Sequence, residues 1–391
     1  MTFIRSERFA AGLLLLAAVI GLIVANTPLG PGFVAFMDAH PVDAPFGLDL
    51  SPAHWVSDGL LAVFFFLVAI ELKRELVIGD LNSFAKAALP SIAALGGVVV
   101  PAVIFLLFTA GTPLAGGWPV PTATDIAFAL GVLAIFGRGI PTRVRVFLLA
   151  LAVLDDLVAI LIIAFFFTQD AQLQFIGFAA ITATGFGLFS RLLKPRSPWV
   201  LGRKPQWPII AALCLLGVLT WYFTYLSGVH ATIAGVVLGL VMARVPGGRT
   251  HHIIEPYSNG IVLPLFAFSA AMVAIPAVRI DGLSPAFWGI LVALPVGKLL
   301  GITLAGWGAS AIATRRDRPA LQLPDIVVVA CLGGIGFTVS LLMNELAFQR
   351  DNTVTDEGTL AVLIGSGIAI AVSAVVVSLR ARHYRRLHAA R

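Results

Sequence analysis

The sequence predicts an all-α polytopic membrane protein of about twelve transmembrane helices, and three observations lead there. Of its 391 residues, 59% are hydrophobic and only 12% are Asp, Glu, Lys or Arg, whereas a soluble chain carries about 25% charged residues. The apolar residues come in runs of roughly 20, enough at about 1.5 Å per residue to cross about 30 Å of hydrocarbon. The basic residues gather in alternate connecting segments. A soluble chain of this composition would lack the polar surface needed to cover itself. The net charge of +6 does not indicate a nucleic-acid partner, because the basic residues lie between apolar runs and form no mixed aromatic and basic patch.

In chain order the expected spans are 9–26, 56–78, 88–109, 119–136, 144–168, 174–190, 208–225, 228–243, 258–276, 286–312, 325–347 and 358–379. The first follows Arg5 and Arg8 as a secretory signal would, but it is too long for a signal core and lacks a convincing small-residue cleavage site. It reads as an uncleaved span. Proline and glycine clusters such as Gly111-Thr-Pro and Lys194-Pro-Arg-Ser-Pro mark several boundaries. With both termini cytoplasmic, 23 of the 26 Lys and Arg residues fall in inside segments. Arg279 and Arg350 fall outside, and Lys298 lies mid-span. This asymmetry supports the even span count and the orientation, since moving the map by one span reverses the bias from that point on. The longest outer loop, 27–55, carries Asp38, Asp43 and Asp49 but no Lys or Arg. Its stretch from Ala44 to Ser51 suggests a small hairpin turning at Gly47. Cys214 and Cys331 lie in apolar runs, where reduced buried thiols are expected. They are too few and too far apart for a metal site, and no cofactor is indicated.

In a bilayer the informative residues are the ionisable ones at depth, each costing about 2.5–3.5 kcal/mol to insert. Here these are Asp125, Asp155, Asp156 and Lys298. Three carboxylates and one ammonium form at best one neutral pair. The rest must be protonated, solvated or bound to a cation. Asp155 and Asp156 sit side by side in an apolar helix, about 100° apart around its axis. One can face a water-filled funnel while the other faces a packed neighbour. Burial and a like charge are what bring a carboxylate's proton exchange into the range of ordinary cytosolic pH. Such a group holds either a proton or a small cation, and that competition is sufficient for exchange. A merely structural polar pair would not explain two acids in a row.

Asp125 follows Trp118-Pro-Val-Pro-Thr-Ala-Thr, and the prolines disfavour helix before them. Thr124 is expected as the N-cap, with Asp125 in the first turn. The apolar run behind it, Ile126 to Phe136, is half a span, which suggests a helix broken at membrane depth. A second break is expected at Gly333, Gly334 and Gly336 in span eleven; close helix packing also favours glycine there. Lys298 has Asp155 and the carbonyl ends of broken helices as expected partners, and it lies too far from either end of its span to snorkel. His230, at the outer start of span eight, reads first as a hydrogen-bonded packing residue and second as functional. By topology Glu71, Arg74 and Glu75 at the end of span two share the cytoplasmic side with His251, His252 and Glu255 before span nine. They are candidates for pH sensing at the inner mouth, since histidine changes charge near neutrality. Neighbouring acids are expected to move that change to higher pH.

These stretches carry a resemblance. Thr122-Ala-Thr-Asp-Ile-Ala-Phe-Ala-Leu-Gly-Val-Leu, the Asp155-Asp156 pair, Gly297-Lys298, Ser227-Gly-Val-His-Ala-Thr and Gly334-Ile-Gly-Phe-Thr resemble the NhaA-type sodium/proton antiporters. So do Asp58-Gly-Leu-Leu-Ala-Val-Phe-Phe-Phe and Glu71-Leu-Lys-Arg-Glu-Leu, and the likeness runs from about residue 50 to about residue 350. The resemblance implies inverted repeats, spans 3–5 (88–168) and 10–12 (286–379), with broken spans four and eleven crossing near the midplane. Interrupted helices of this kind form the site in several transporters, NhaA among them. It further implies a homodimer through spans 1–2 and 8–9, aided by the outer loop, in the inner membrane of a bacterium. Asp156 would be the principal cation-binding carboxylate, Asp155 the partner of Lys298, and Thr124 and Asp125 the residues beside the crossing. Exchange of Na⁺ or Li⁺ for H⁺ would be electrogenic, with more protons entering than sodium ions leaving. The stretch Arg249-Thr-His-His-Ile-Ile-Glu-Pro departs from the family: His252 matches a family histidine, His251 stands where the family has an acid, and Glu255 where it has a second histidine. This departure bears on pH activation and not on the exchange itself.

Other classes fit less well. A sodium-coupled carrier of another solute would need fewer bare acids and more amides and hydroxyls. A channel would need a polar pore and not one compact charged cluster. An intramembrane aspartyl protease needs its two acids on separate helices, flanking a peptide bond. No Ser/His or metal constellation suggests any other enzyme.

Overall fold

In hydrocarbon the backbone has no partner but itself, which leaves helices or closed barrels. The computed structural model describes residues 7–40, 47–79, 81–82, 84–167, 171–273, 275, 282–313, 321–349 and 351–389, and no strand occurs among them. The first helix, α1 (Glu7–Ala25), turns by 114° into α2 (Gly30–Met37). The sequence reading left α2 as loop. Gly30 permits the turn, because a side chain there would strike the Ala25 carbonyl. Gly47 has φ +73°, the turn expected of a hairpin, but residues 48–50 are irregular and 41–46 lie outside the described residues.

The chain then runs through α3 (Pro52–His54), a π turn over Trp55–Leu60 and α4 (Leu61–Val77). Next come α5 (Phe84–Phe108), two short 3₁₀ turns at Pro113–Gly117 and Val120–Thr122, and α6 (Ile126–Phe136), with a 41° bend between the turns and α6. The middle of the chain holds α7 (Thr142–Phe166), α8 (Leu173–Leu192), α9 (Pro198–Leu201), α10 (Trp207–Leu226), α11 (Thr232–Val241), α12 (Arg244–Tyr257) and α13 (Leu263–Ala270). The last part holds α14 (Pro285–Val292), a π turn at Ala293–Gly297, α15 (Lys298–Ala313), α16 (Leu323–Gly333), α17 (Phe337–Phe348) and α18 (Asn352–Ala389). The bend between α16 and α17 is 49°.

Seven of these helices are apolar and long enough to cross a membrane, or ten when each bent pair counts as one span. Two differences from the expected map bear on the site. Span eight was placed at 228–243, but α11 has only ten residues. Gly228 at φ +77° closes the preceding turn, and His230 stands before the helix. The segment ahead of span nine, expected to lie between two spans, is a 14-residue helix, α12, which continues through a π turn at Ser258–Val262 into α13.

Small residues set the closest packing. Gly96 of α5 and Gly301 of α15 meet backbone to backbone, so that a Cβ on either would strike the other's carbonyl. Gly235 and Gly239 of α11 sit the same way on the Ala62 and Phe66 backbone of α4. Glycines four residues apart are how helices approach in lipid, where the gain comes from van der Waals contact and not from expelled water. The main buried cluster draws on α6, α7 and α14 to α18, including Val132, Leu151, Leu294, Ile302, Leu332 and Leu342. The charged groups lie within it.

A candidate cation site where two broken helices cross

Pro119 and Pro121 interrupt the fourth span, and Ala123 (φ −84°, ψ 155°) is extended. The helix restarts at Asp125, which corrects the expected cap by one residue. Asp125 is itself the N-cap of α6, its Oδ1 accepting from the Phe128 N–H at 3.0 Å. Its Oδ2 accepts from the Thr338 N–H at 3.1 Å and the Thr338 hydroxyl at 2.6 Å. One carboxylate therefore caps two half-helices, α6 and α17, at the ends where their dipoles are positive. The Asp125 N–H donates to the Ile335 carbonyl at 2.6 Å, which locks the two breaks together.

Thr124, released from capping, turns the other way. Its hydroxyl lies 2.5 Å from Asp155 Oδ2 and 2.8 Å from the Gly333 carbonyl at the end of α16. A single proton serves both acceptors. Lys298 Nζ donates to the same hydroxyl at 3.0 Å and to Asp155 Oδ2 at 2.5 Å. The expected Asp155–Lys298 pair is thus present, and the carbonyl end of a broken helix is beside it. Asp155 Oδ1 is buried without a hydrogen-bond partner among the described residues. Lys298 owes its place to the π turn of Ala293–Gly297, where Pro295 supplies no N–H and a regular α ladder cannot run.

The glycines at the second break serve close approach and not an unusual backbone. A Cβ on Gly333 would strike Ile302, one on Gly336 would strike Ser340, and one on Gly334 would come within 3.2 Å of the Cys331 carbonyl. Asp156 is one helix position on and takes no part in the Asp155 network. It lies in the field of Asp155, Asp125, Glu71 and Lys298. Exposure is 3% at Asp125, 2% at Asp155, 4% at Asp156 and 0% at Lys298, so all four groups are closed off from bulk water.

Of the inner group, His251 comes within 3.9 Å of Glu71 and 3.8 Å of Glu255. Glu255 stands one turn along α12, and Arg74, Glu75 and His252 lie within electrostatic reach of this group. The expected direction of the histidine shift is reversed. Burial is the largest influence and holds His251 below its ordinary value; Glu255 opposes it, while Arg74 and His252 add to it. At the outer end His230 Nε2 is 3.2 Å from Asp58 Oδ1, and its Nδ1 is 2.8 Å from the Thr232 hydroxyl.

Two further acids lie within two residues of an end of the expected span 325–347, Asp325 buried and Glu345 partly buried. Asp325 is 0% exposed and pairs with Arg380 Nε at 2.8 Å. Glu345 takes a hydrogen bond with Ser57 and lies near Asp58. Their positions in an apolar span were a usable signal, but proximity to its ends made them look like rim residues. Among the described residues no group of three or more His, Cys, Asp or Glu is arranged to hold a resident metal ion.

Two broken helices meeting over buried carboxylates and one lysine define an ion-coupled secondary transporter. A sequence model of the family described as Na⁺/H⁺ antiporter 1 matches residues 1–377. A protein of Clavibacter michiganensis subsp. michiganensis named Na(+)/H(+) antiporter NhaA 2 is 58% identical, over 100% of this chain and 94% of its own length. Na(+)/H(+) antiporter NhaA of Tropheryma whipplei is 47% identical over 98% and 96%, and NhaA 3 of Streptomyces coelicolor is 44% identical over 98% and 80%. The chain belongs to the Na⁺/H⁺ antiporter 1 family.

Proposed function

We infer that this chain is a sodium/proton antiporter whose two ions compete for one carboxylate, Asp156. The observation that carries the reading is the Asp155–Lys298 contact at 2.5 Å. It satisfies one buried acid with a buried ammonium, and Asp125 is satisfied by two helix N-termini. Asp156 is left with a charge that only a proton or a cation can neutralise. Asp155 Oδ1, which lacks a partner, is available to join Asp156 around a desolvated Na⁺, and the Thr124 hydroxyl is within reach of the same acid. A hard cation of this kind takes oxygen ligands. The ion is cargo, so the oxygens must release it when a proton arrives.

From the family we take several further expectations. Li⁺ replaces Na⁺, exchange is electrogenic with more protons entering than sodium ions leaving, and the direction is extrusion from the cytoplasm. The distribution of Lys and Arg supports twelve spans with both termini inside, in a bacterial inner membrane. Spans 3–5 and 10–12 form the inverted repeats, and spans 1–2 and 8–9 with the outer loop form a homodimer surface in contact with lipid. Glu71, Arg74, Glu75, His251, His252 and Glu255 are the candidate pH-sensing groups at the inner rim.

The test is a proton-gradient assay in everted membrane vesicles, with Na⁺, Li⁺ or K⁺ added across a pH series. Na⁺ and Li⁺ should collapse the gradient where K⁺ does not. Collapse by all three cations alike, or by none at any pH, would remove the sodium-specific reading.

A further inference from the structure

The half-helix α16 delivers the Gly333 carbonyl to Thr124 and, through that hydroxyl, to Asp155. Its far end is held by a second charged cluster outside the cation site. Asp325 stands in the first turn of α16, about 12 Å from Gly333 at 1.5 Å per residue. It is fully buried, yet every side-chain partner it has comes from another helix. Arg380 of α18 donates through Nε to Oδ1 at 2.8 Å. The Tyr384 hydroxyl, also on α18, lies 3.0 Å from Oδ1 and 2.9 Å from Oδ2. Arg143, at the start of α7, places Nη2 at 3.5 Å from Oδ2 and 3.2 Å from the Tyr384 hydroxyl. Arg380 also reaches Gln322 with Nη2 at 2.5 Å and lies over the Tyr384 ring at 4.6 Å.

At the break α16 is held by the Thr124–Gly333 and Asp125–Ile335 hydrogen bonds, and its height also depends on what holds its far end. The apolar contacts around α16 add to this hold but are non-directional. Charge-assisted hydrogen bonds are directional and shorter than neutral ones, so a buried carboxylate gripped by three side chains from two helices sets the height. The grip comes from α7, which also carries Asp155 and Asp156, and from α18. An axial shift at Asp325 is passed through a stiff helix to Gly333.

We propose that Asp325 is a positioning residue for cation binding: with Arg380, Tyr384 and Arg143 it fixes α16 along its axis, and so fixes the Gly333 carbonyl against the Thr124–Asp155 pair. This rests on the reading of Asp155 and Asp156 as the cation site. Asp325 touches neither ion, and its effect falls on affinity and not on turnover.

The experiment uses the purified full-length protein in detergent, with Na⁺ alone as the probe. The midpoint of Na⁺-dependent thermal stabilisation is read at alkaline pH, alongside the apparent KM and Vmax for Na⁺ in proteoliposomes. Asp325→Ala should weaken the Na⁺ midpoint and KM about 3–10-fold, as remote coupling positions do. Vmax should stay within about twofold, the signature of lost binding in a variant. Asp325→Asn, which keeps an acceptor for Tyr384 and Arg380, should recover part of the affinity. Tyr384→Phe should shift it in the same direction by a smaller factor, and it keeps the proposal testable if Asp325→Ala does not fold. Asp156→Asn is the control on the site itself: Na⁺-dependent stabilisation retained there would overturn the site reading and this proposal with it. With Asp156→Asn silent, an unchanged Na⁺ midpoint in the Asp325 and Tyr384 variants, even at a lower melting temperature, would overturn positioning alone. A lower Vmax at unchanged KM would do the same.

Discussion

The crossing and the inner rim use nearly the same residue types to different ends. At the crossing, Asp125, Asp155, Lys298, Thr124 and Thr338 make contacts of 2.5–3.1 Å, and each of the five is no more than 3% exposed. At the rim, His251 stands 3.9 Å from Glu71 and 3.8 Å from Glu255, with side chains 21%, 37% and 47% exposed. In the first place, losing one partner strands a charge that cannot reach water. In the second, water and salt screen the pair, and exposed pairs contribute roughly 0–1 kcal/mol. Depth, and not the inventory of acids and bases, separates machinery from surroundings.

The largest effect is expected at Asp156. Asp156→Asn removes the carboxylate at the crossing that has no fixed neutralising partner among the described residues. It should abolish Na⁺-driven dissipation of a proton gradient while the protein still inserts, as judged by its amount in the membrane. Exchange at wild-type rates in that variant would falsify the division of labour between Asp155 and Asp156. Next is the pair itself. Lys298→Ala leaves Asp155 buried and unpaired, a loss of about 3–5 kcal/mol measurable as a lower melting temperature in detergent. Adding Asp155→Asn should restore part of it. Strict additivity of the two losses would mean that the 2.5 Å contact carries no coupling energy.

A smaller effect sharpens the comparison within the crossing. Asp125→Ala uncaps α6 and α17 together, and each lost cap costs about 1 kcal/mol. Asp125→Asn keeps one acceptor oxygen, enough for the Phe128 N–H or for the Thr338 groups but not both, and should lose less. Equal losses in the two variants would mean that geometry contributes nothing beyond charge at this residue.

What could be read in the sequence divides along the same line. The bilayer-length runs, both breaks and the four deep charges each leave a local mark: an acid or a lysine inside apolar residues, or prolines and glycines inside a span. Other features depend on partners remote in the chain. Thr124 gave up the cap because Asp155, 31 residues away, offers its hydroxyl an acceptor. Asp325 and Arg380 are 55 residues apart, and neither is unusual beside its own neighbours. The helix α12 was hidden because its residues are polar and carry Pro246 and Pro256, and only its packing against α4 gives that stretch a helical role. The histidine shift was misjudged in sign for a related reason. Glu255, the acid that raises it, was visible as a neighbour along the chain, and the burial that outweighs it was not.

The smallest effect is predicted for the rim, and it tests whether a sensor is needed. His251 faces Glu71 from α4 and Glu255 and His252 from its own helix, with Arg74 in electrostatic reach. Burial holds it below its ordinary value of about 6.5. Between that lowered value and about 6.5, the folded protein binds fewer protons at this residue than the unfolded chain does. Stability at this residue therefore rises with pH through that window and is level above about pH 7. A histidine already neutral there has no charge left to lose in the alkaline range, so it cannot supply an alkaline switch. Plain competition of H⁺ and Na⁺ for Asp156 needs no sensor, and it moves the activity profile to lower pH as Na⁺ is raised. The double variant His251→Ala/His252→Ala should accordingly keep the wild-type midpoint at saturating Na⁺ and depart from wild type only in stability below about pH 6.5. A midpoint displaced at saturating Na⁺ would make the rim a regulator despite its exposure, and the contrast drawn with the crossing would then fail at the rim.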